Sequence, residues 1–332
     1  MGKAIQISLL LLFAALLSGQ LGCAEAAVCD TRANDTQEKL LECVTIEGVR
    51  EHLEAFQAIA DANEGTRAAG TPGYDASVAY VAERLEKAGY DVELNSFEFR
   101  GESTHFNVLA ELPGGDAGNV VMIGAHLDSV RAGPGINDNG SGSAAILEVA
   151  EQMAKAKPHN TVRFAWWGAE ESFMVGSSAY ISSLTEEEQE NIAQYINFDV
   201  IGSTNHIFFI YDGDDSDEEG AGPGPEGSAE IEKLFESYYT DLSLPFQGVD
   251  FTMGSDFIPF MGAGIPSGGL FSGCCRDKTD EEVTLWGGTV GDQYDPCYHQ
   301  ACDNIDNINF EALDVNADAA AFVTFHYAMN AD

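Results

Sequence analysis

Basic residues are what this 332-residue chain has least of: 15 Lys and Arg stand against 55 Asp and Glu, a formal net charge of −40. A surface of that sign repels phosphate backbones and anionic headgroups, which excludes nucleic acid and charged membrane surfaces as partners. It suits a soluble protein in a saline habitat and attracts peptides with a cationic amino terminus. Long apolar runs are equally scarce. After Ile5–Leu17 no segment is apolar enough to cross a bilayer, and that first run falls short of the roughly 20 residues a span needs. No repeat of 20–50 residues is visible, which excludes solenoids and propellers.

What is present begins with an amino-terminal address. Lys3, the apolar run and Ala24-Glu25-Ala26 follow the order of a secretory signal peptide, read over residues 1–26. Gln20-Leu21-Gly22-Cys23 resembles a bacterial lipidation site, the minor alternative to free secretion. The expected destination is extracellular or periplasmic. Six further cysteines, at 29, 43, 274, 275, 297 and 302, suit an oxidising compartment. Many connectivities are open to six cysteines. Local spacing favours Cys29–Cys43 and Cys297–Cys302, and leaves Cys274 and Cys275 as adjacent neighbours.

Residues 27–44 read as an extension and 45–332 as one domain. Thr45 caps a helix whose stripe is Ile46, Val49, Leu53, Phe56 and Ile59. A second helix, with Val78, Val81 and Leu85 inward, stops at Gly89. Strands are expected at 91–99, 106–112, 120–125, 162–167, 195–200 and 207–211. Helices are expected at 143–155, after a Thr185/Glu188 capping box, near 229–239 and at 311–328. Apolar strands alternating with helices indicate an α/β fold with a mostly parallel sheet covered on both faces. The acidic run 212–224 reads as a solvated loop, without the spacing of a calcium loop.

Polar residues gather where these strands end. His126-Leu127-Asp128 offers an imidazole with a carboxylate two residues on. Asp138 sits among glycines before a helix; the surrounding segment, 135–142, matches neither phosphate-loop signature. Glu170 and Glu171 are adjacent carboxylates beyond a strand, which repel unless cations are near. Asp199 ends another strand, and Tyr298 and His299 lie between Cys297 and Cys302. Each segment taken singly reads rather as a solvated pair or a helix cap. Together, two histidines and three carboxylates can surround two zinc ions, one carboxylate bridging. His52, His105, His159, His206 and His326 lack such neighbours in sequence and read as surface or packed residues.

In order, GAHLDSV (124–130), GPGINDNGSG (133–142), FAWWGAEE (164–171), INFDVIGS (196–203), GSDFIPF (254–260), GIPSGGLFSG (264–273) and YDPCYHQACD (294–303) resemble the co-catalytic dizinc exopeptidases. These are bacterial leucine aminopeptidases and vacuolar aminopeptidase Y, with glutamate carboxypeptidase and glutaminyl cyclase further off. The resemblance implies a twisted, mostly parallel eight-stranded sheet between helices. It implies two zinc ions, His126 and Asp199 on one, Glu171 and His299 on the other, Asp138 between them. Asp128 would orient His126, Glu170 would be the general base, and Tyr298 would stabilise the oxyanion. The implied activity is release of amino-terminal residues from peptides by a monomer. The alternatives are a carboxypeptidase or glutaminyl cyclase of the same fold, or a non-catalytic relative. Two departures stand out: Phe99 and Asn107 are too close for an inserted protease-associated domain, and Gly254 occupies a place where some relatives carry Arg.

Overall fold

The computed structural model describes residues 28–330 apart from Asp30, Glu219 and Ala221. The expected signal peptide, residues 1–26, and the Cys23 site lie outside the described residues. The chain enters through α1 (Gln37–Leu41), α2 (Ile46–Ala62) and α3 (Pro72–Ala88). The Thr45 side chain accepts from Gly48 N–H at the start of α2, and Gly89, at φ 101°, ends α3 in the left-handed conformation that glycine tolerates best. The Thr185–Glu188 box caps the short α6 (Glu186–Glu190).

Eight strands form one sheet: β1 (Asp91–Phe99), β2 (Glu102–Glu111), β3 (Asp116–His126), β4 (Asn160–Trp167), β5 (Ile192–Phe198), β6 (Phe209–Tyr211), β7 (Gln247–Val249) and β8 (Ser267–Phe271). Their order is β1-β2-β4-β3-β5-β8-β6-β7. Pairings β4–β3, β3–β5, β5–β8 and β6–β7 are parallel, while β1–β2, β2–β4 and β8–β6 are antiparallel. The mixed eight-stranded α/β sheet is the expected one, without a separate protease-associated domain. Two strands escaped the residue pattern. β8 is Ser-Gly-Gly-Leu-Phe, poor in the branched residues that mark strands. Its glycines are demanded by closeness: a Cβ on Gly269 would lie 1.9 Å from the Asn197 carbonyl oxygen.

Alternation along the strands fills two main cores and a smaller cluster around Phe97 and Phe99. Trp166 faces the larger one, beneath α2, α3, α4 (Gly140–Met153), α7 (Ser228–Asp241) and α10 (Phe310–Met329). Trp167 faces the other, under α5 (Val175–Ser183) and α8 (Phe257–Gly262), where Phe260 stacks on Tyr195 at 3.8 Å. Both tryptophans are fully buried, and truncating either to Ala is expected to cost about 3–5 kcal/mol. Helix α4 begins at Gly140, three residues before the expected Ser143, because the Asn139 side chain caps Gly142 N–H. The acidic run after β6 starts in the interior: the buried Asp212 carboxylate accepts from Ser216 and Asp217 N–H. Cystines Cys29–Cys43 and Cys297–Cys302 are formed, and Cys274 and Cys275 are free.

Candidate metal centre

Strands β4, β3, β5 and β8 run the same way, so their carboxyl ends open onto one rim, where open α/β sheets place their chemistry. His126 is the last residue of β3, and Asp199 directly follows β5. Glu170 and Glu171 begin a 3₁₀ turn beyond β4, after Ala169 at φ 56°. Asp138 precedes the N-cap of α4. His299, at φ 58°, is held in the loop closed by Cys297–Cys302. Left-handed backbone at Ala169, Val200 and His299 costs energy that surrounding packing has to offset, and such residues concentrate at functional sites.

These five ligand candidates converge. His126 Nε2 lies 3.2 Å from Asp138 Oδ1 and 3.1 Å from Asp199 Oδ1. His299 Nε2 lies 3.0 Å from Asp138 Oδ2 and 3.1 Å from Glu171 Oε2. Asp138 thus presents one oxygen to each histidine, and two groups of three ligand atoms share it. Two zinc–ligand bonds of about 2.0–2.2 Å span such separations, so each group can hold one ion. Glu170 Oε2 is 3.9 Å from His126 Nε2. The Tyr298 ring stacks on His299 with centroids 3.9 Å apart. The nearest oxygen to His126 Nδ1 is the Asp128 carbonyl at 3.0 Å, with its carboxylate at 3.7 Å. That carboxylate accepts instead from Glu170 N–H.

The electrostatics call for cations. Asp138, Glu170, Glu171, Asp199 and the buried Asp256 face two imidazoles. Burial, with Asp138 alongside, pushes the Glu171 carboxyl up to about 7. Burial also holds Glu170 well above the carboxylate range, against the pull of His126 and with Asp199 adding to the rise. Burial pulls His299 down, but Asp138 and Glu171 override it and hold the ring at about 10. Asp138 stays below its usual range despite burial, because both imidazoles donate to it. The histidines therefore behave as cations trapped among carboxylates. Divalent ions would satisfy the same oxygens with more charge, including Glu171 Oε1, which is buried and accepts no hydrogen bond. The donor set, imidazole nitrogen and carboxylate oxygen, is one that zinc accepts.

Several residues that hold this cluster gave no sign of that role in the sequence. A relay of hydrogen bonds runs from Trp167 Nε1 to Tyr195, from Tyr195 to Asn197 Oδ1, from Asn197 Nδ2 to Ser255, and from Ser255 to Asp199 Oδ2. The Asp303 carboxylate accepts both Asn137 and Asp138 N–H. Fully buried Arg67 donates to the carbonyls of Leu127, Pro134 and Gly135, clamping the loop between His126 and Asp138. Apart from Tyr195 and Asn197, the partners lie 28–166 positions away, a distance at which no periodicity speaks. Trp167, Asn197, Ser255 and Asp303 fall inside the segments FAWWGAEE, INFDVIGS, GSDFIPF and YDPCYHQACD, which marks them as part of the family pattern without giving their roles. Among the histidines set aside, His52 has neighbours that the linear order hides. It is fully buried, with Nε2 3.8 Å from Glu148 and 3.9 Å from Glu151.

With that geometry in hand, comparison with known proteins places the chain. Residues 107–324 match the model of Peptidase family M28, and the chain belongs to that family. It is 44% identical over 282 residues to leupeptin-inactivating enzyme 1 of Streptomyces exfoliatus, covering 84% of this chain and 61% of that protein. It is 53% identical over 225 residues to an aminopeptidase of Pseudomonas aeruginosa, covering 68% of this chain and 42% of the other. The chain therefore spans about half the length of the curated relatives it matches. In fold it is similar to an aminopeptidase from Aneurinibacillus sp. strain AM-1, with a TM-score of 0.70 at 18% identity, over 90% of this chain and 97% of that one. A zinc aminopeptidase from Bacillus subtilis gives 0.69 at 16% identity, over 86% and 96%.

Proposed function

We propose that the chain is an exported aminopeptidase working with two zinc ions, its residues from 45 onward acting as one peptidase domain. The observation that carries this reading is the pair of ligand groups, His126/Asp138/Asp199 and Asp138/Glu171/His299, joined through one carboxylate. The names of its relatives support the substrate class, and the two cystines support a place outside the cytoplasm. His126 and Asp199 would hold one ion, Glu171 and His299 the other, and Asp138 both. When bound, the ions lower the pKa of coordinated water to about 7 and polarise the peptide carbonyl.

The chain's own groups do the rest. Glu170, whose carboxyl burial raises, suits a base that takes the proton of the attacking water and returns it to the leaving amine. Asp128 accepts Glu170 N–H and so fixes the backbone from which that base projects. Tyr298, whose ring stacks on His299, would donate its hydroxyl to the developing oxyanion. The surplus of carboxylates draws in a cationic amino terminus and confines cleavage to the first residue. The guanidinium beneath the site, Arg67, already serves three carbonyls, which leaves little to receive a substrate carboxylate.

Aminoacyl-nitroanilides, with zinc counted and with and without chelator, test this. Expected are two zinc ions per chain, hydrolysis abolished by chelation, and resistance of acetylated substrates. Release from the carboxyl end of blocked peptides, cyclisation of an amino-terminal Gln peptide, or hydrolysis unaffected by chelation would overturn it.

A further inference from the structure

The loop after β8 carries two free cysteines side by side. Cys274 is buried in the apolar cluster that contains Phe209, Phe271 and Tyr294, with Tyr298 packed against it. Cys275 is exposed, and the two sulfurs are 2.6 Å apart. Both line a cavity of about 100 Å³ together with Val249, Thr252, Phe271 and Tyr294. Two walls of that cavity lead directly into the ligand cluster. Thr252 precedes Ser255, whose hydroxyl donates to Asp199. Tyr294 precedes Asp295, which donates its N–H to the Cys274 carbonyl and accepts from Asn137, the neighbour of Asp138. Gly273, at φ 88°, runs so close beneath Tyr294 that a Cβ there would lie 2.4 Å from the ring. The cysteine loop therefore cannot shift without moving a cavity wall.

We propose that Cys274 and Cys275 form a thiol–disulfide exchange site that reacts with small disulfides such as oxidised glutathione, and that its state sets how well the cavity accepts an apolar first side chain. The specificity half rests on the aminopeptidase reading; the exchange half does not. Cys275 is the attacking group, because it is exposed while burial pushes the Cys274 thiol up. The Cys275 thiolate attacks one sulfur of the small disulfide and expels one thiol, leaving a mixed disulfide. Cys274 then gives up its proton and displaces the second thiol. One S–S bond is lost from the small disulfide and one is gained in the loop. The protein pair is oxidised by two electrons, the small disulfide is reduced by two, and both protons end on the released thiols. Adjacent Cα atoms lie about 3.8 Å apart, closer than the roughly 4.4–6.8 Å usual across a disulfide. Closing the bond must therefore re-aim the loop that walls the cavity.

The test exposes the whole chain to glutathione buffers from fully reduced to fully oxidised, alkylates it, and maps peptides by mass. Peptide 274–275 should go from doubly alkylated to unalkylated with loss of two hydrogens, and Cys274→Ser should trap one glutathione on Cys275. In the same buffers, the ratio of kcat/KM for leucyl over alanyl nitroanilide should shift by about tenfold in the native chain and stay constant in Cys275→Ser. Full alkylation at every glutathione ratio overturns the exchange site. A constant ratio while the pair converts overturns its link to specificity. A chain that hydrolyses neither substrate sinks the aminopeptidase reading and the specificity half with it, while the alkylation pattern still decides the exchange site.

Discussion

Among the described residues, two clusters bring histidine together with carboxylates, and they meet the same electrostatic problem differently. At the sheet rim, His126 and His299 face Asp138, Glu170, Glu171 and Asp199, and among the described residues no Lys or Arg forms an ion pair with any of these carboxylates. Between α2 and α4, His52 faces Glu148 and Glu151, but there Arg84 from α3 supplies the cation. It binds Glu151 through two nitrogens, at 2.5 and 2.7 Å, and reaches Glu51 at 2.6 Å. The remaining bonds of this second cluster are internal: Tyr80 meets His52 Nδ1, and Gln152 donates to Glu148. Buried carboxylates need compensation in either place. The Arg84 guanidinium offsets the charge of Glu151 in one cluster, where His52 Nε2 still lacks a hydrogen-bond partner, and no guanidinium pairs with the carboxylates of the other among the described residues.

The largest expected effect breaks the rim cluster. Glu170→Gln should lower kcat by about 10²–10⁴-fold while zinc content stays at the native value; native turnover in that variant would remove Glu170 from its role. Asp128→Asn should cost about 10–100-fold in activity or metal affinity. Its carboxylate supports both the Glu170 backbone and the surroundings of His126, and unchanged metal titration and rate would contradict that support.

The Arg84 cluster should respond in stability. Arg84→Met leaves Glu151 without its guanidinium and should lose about 2 kcal/mol in urea unfolding, since both partners are partly exposed. The rate per folded molecule should be unaltered; a drop would show the clusters to be coupled. The same cluster should also show in a pH profile. Burial raises Glu148 to about 8, against 4.5 in the unfolded chain. The folded state therefore holds that proton more tightly, and the stability this adds is full below pH 4.5 and lost as pH rises to about 8. Glu148→Gln lacks this loss, so its thermal midpoint should improve relative to the native chain across that window. Parallel profiles would show that Glu148 titrates as it does in water.

Local signals in the sequence were read well where one segment carries the whole cause. Thr45, Gly89 and the Thr185–Glu188 box end helices through bonds within four residues, and the apolar periods of β3 to β5 declare strands that are buried on both faces. The five metal-ligand candidates were legible as a set because each is attached to the end of such an element. β8 was not legible, since its glycines answer to the Asn197 carbonyl and Ile231 rather than to strand propensity. Nor was the role of His52, whose acidic neighbours are about a hundred residues away on α4.

The amino-acid sequence alone determined the strand–helix alternation, the acidic character, and which side chains stand at strand ends, because these follow from short-range periodicity, capping and composition. Only the tertiary structure decided that Asp138 faces both histidines, that Arg67, Ser255 and Asp303 hold the ligands in place, and that Arg84 pairs with a carboxylate of one cluster and not of the other. Those outcomes depend on strands and loops from distant parts of the chain meeting at one rim, where desolvation makes every charge answer to whatever stands beside it.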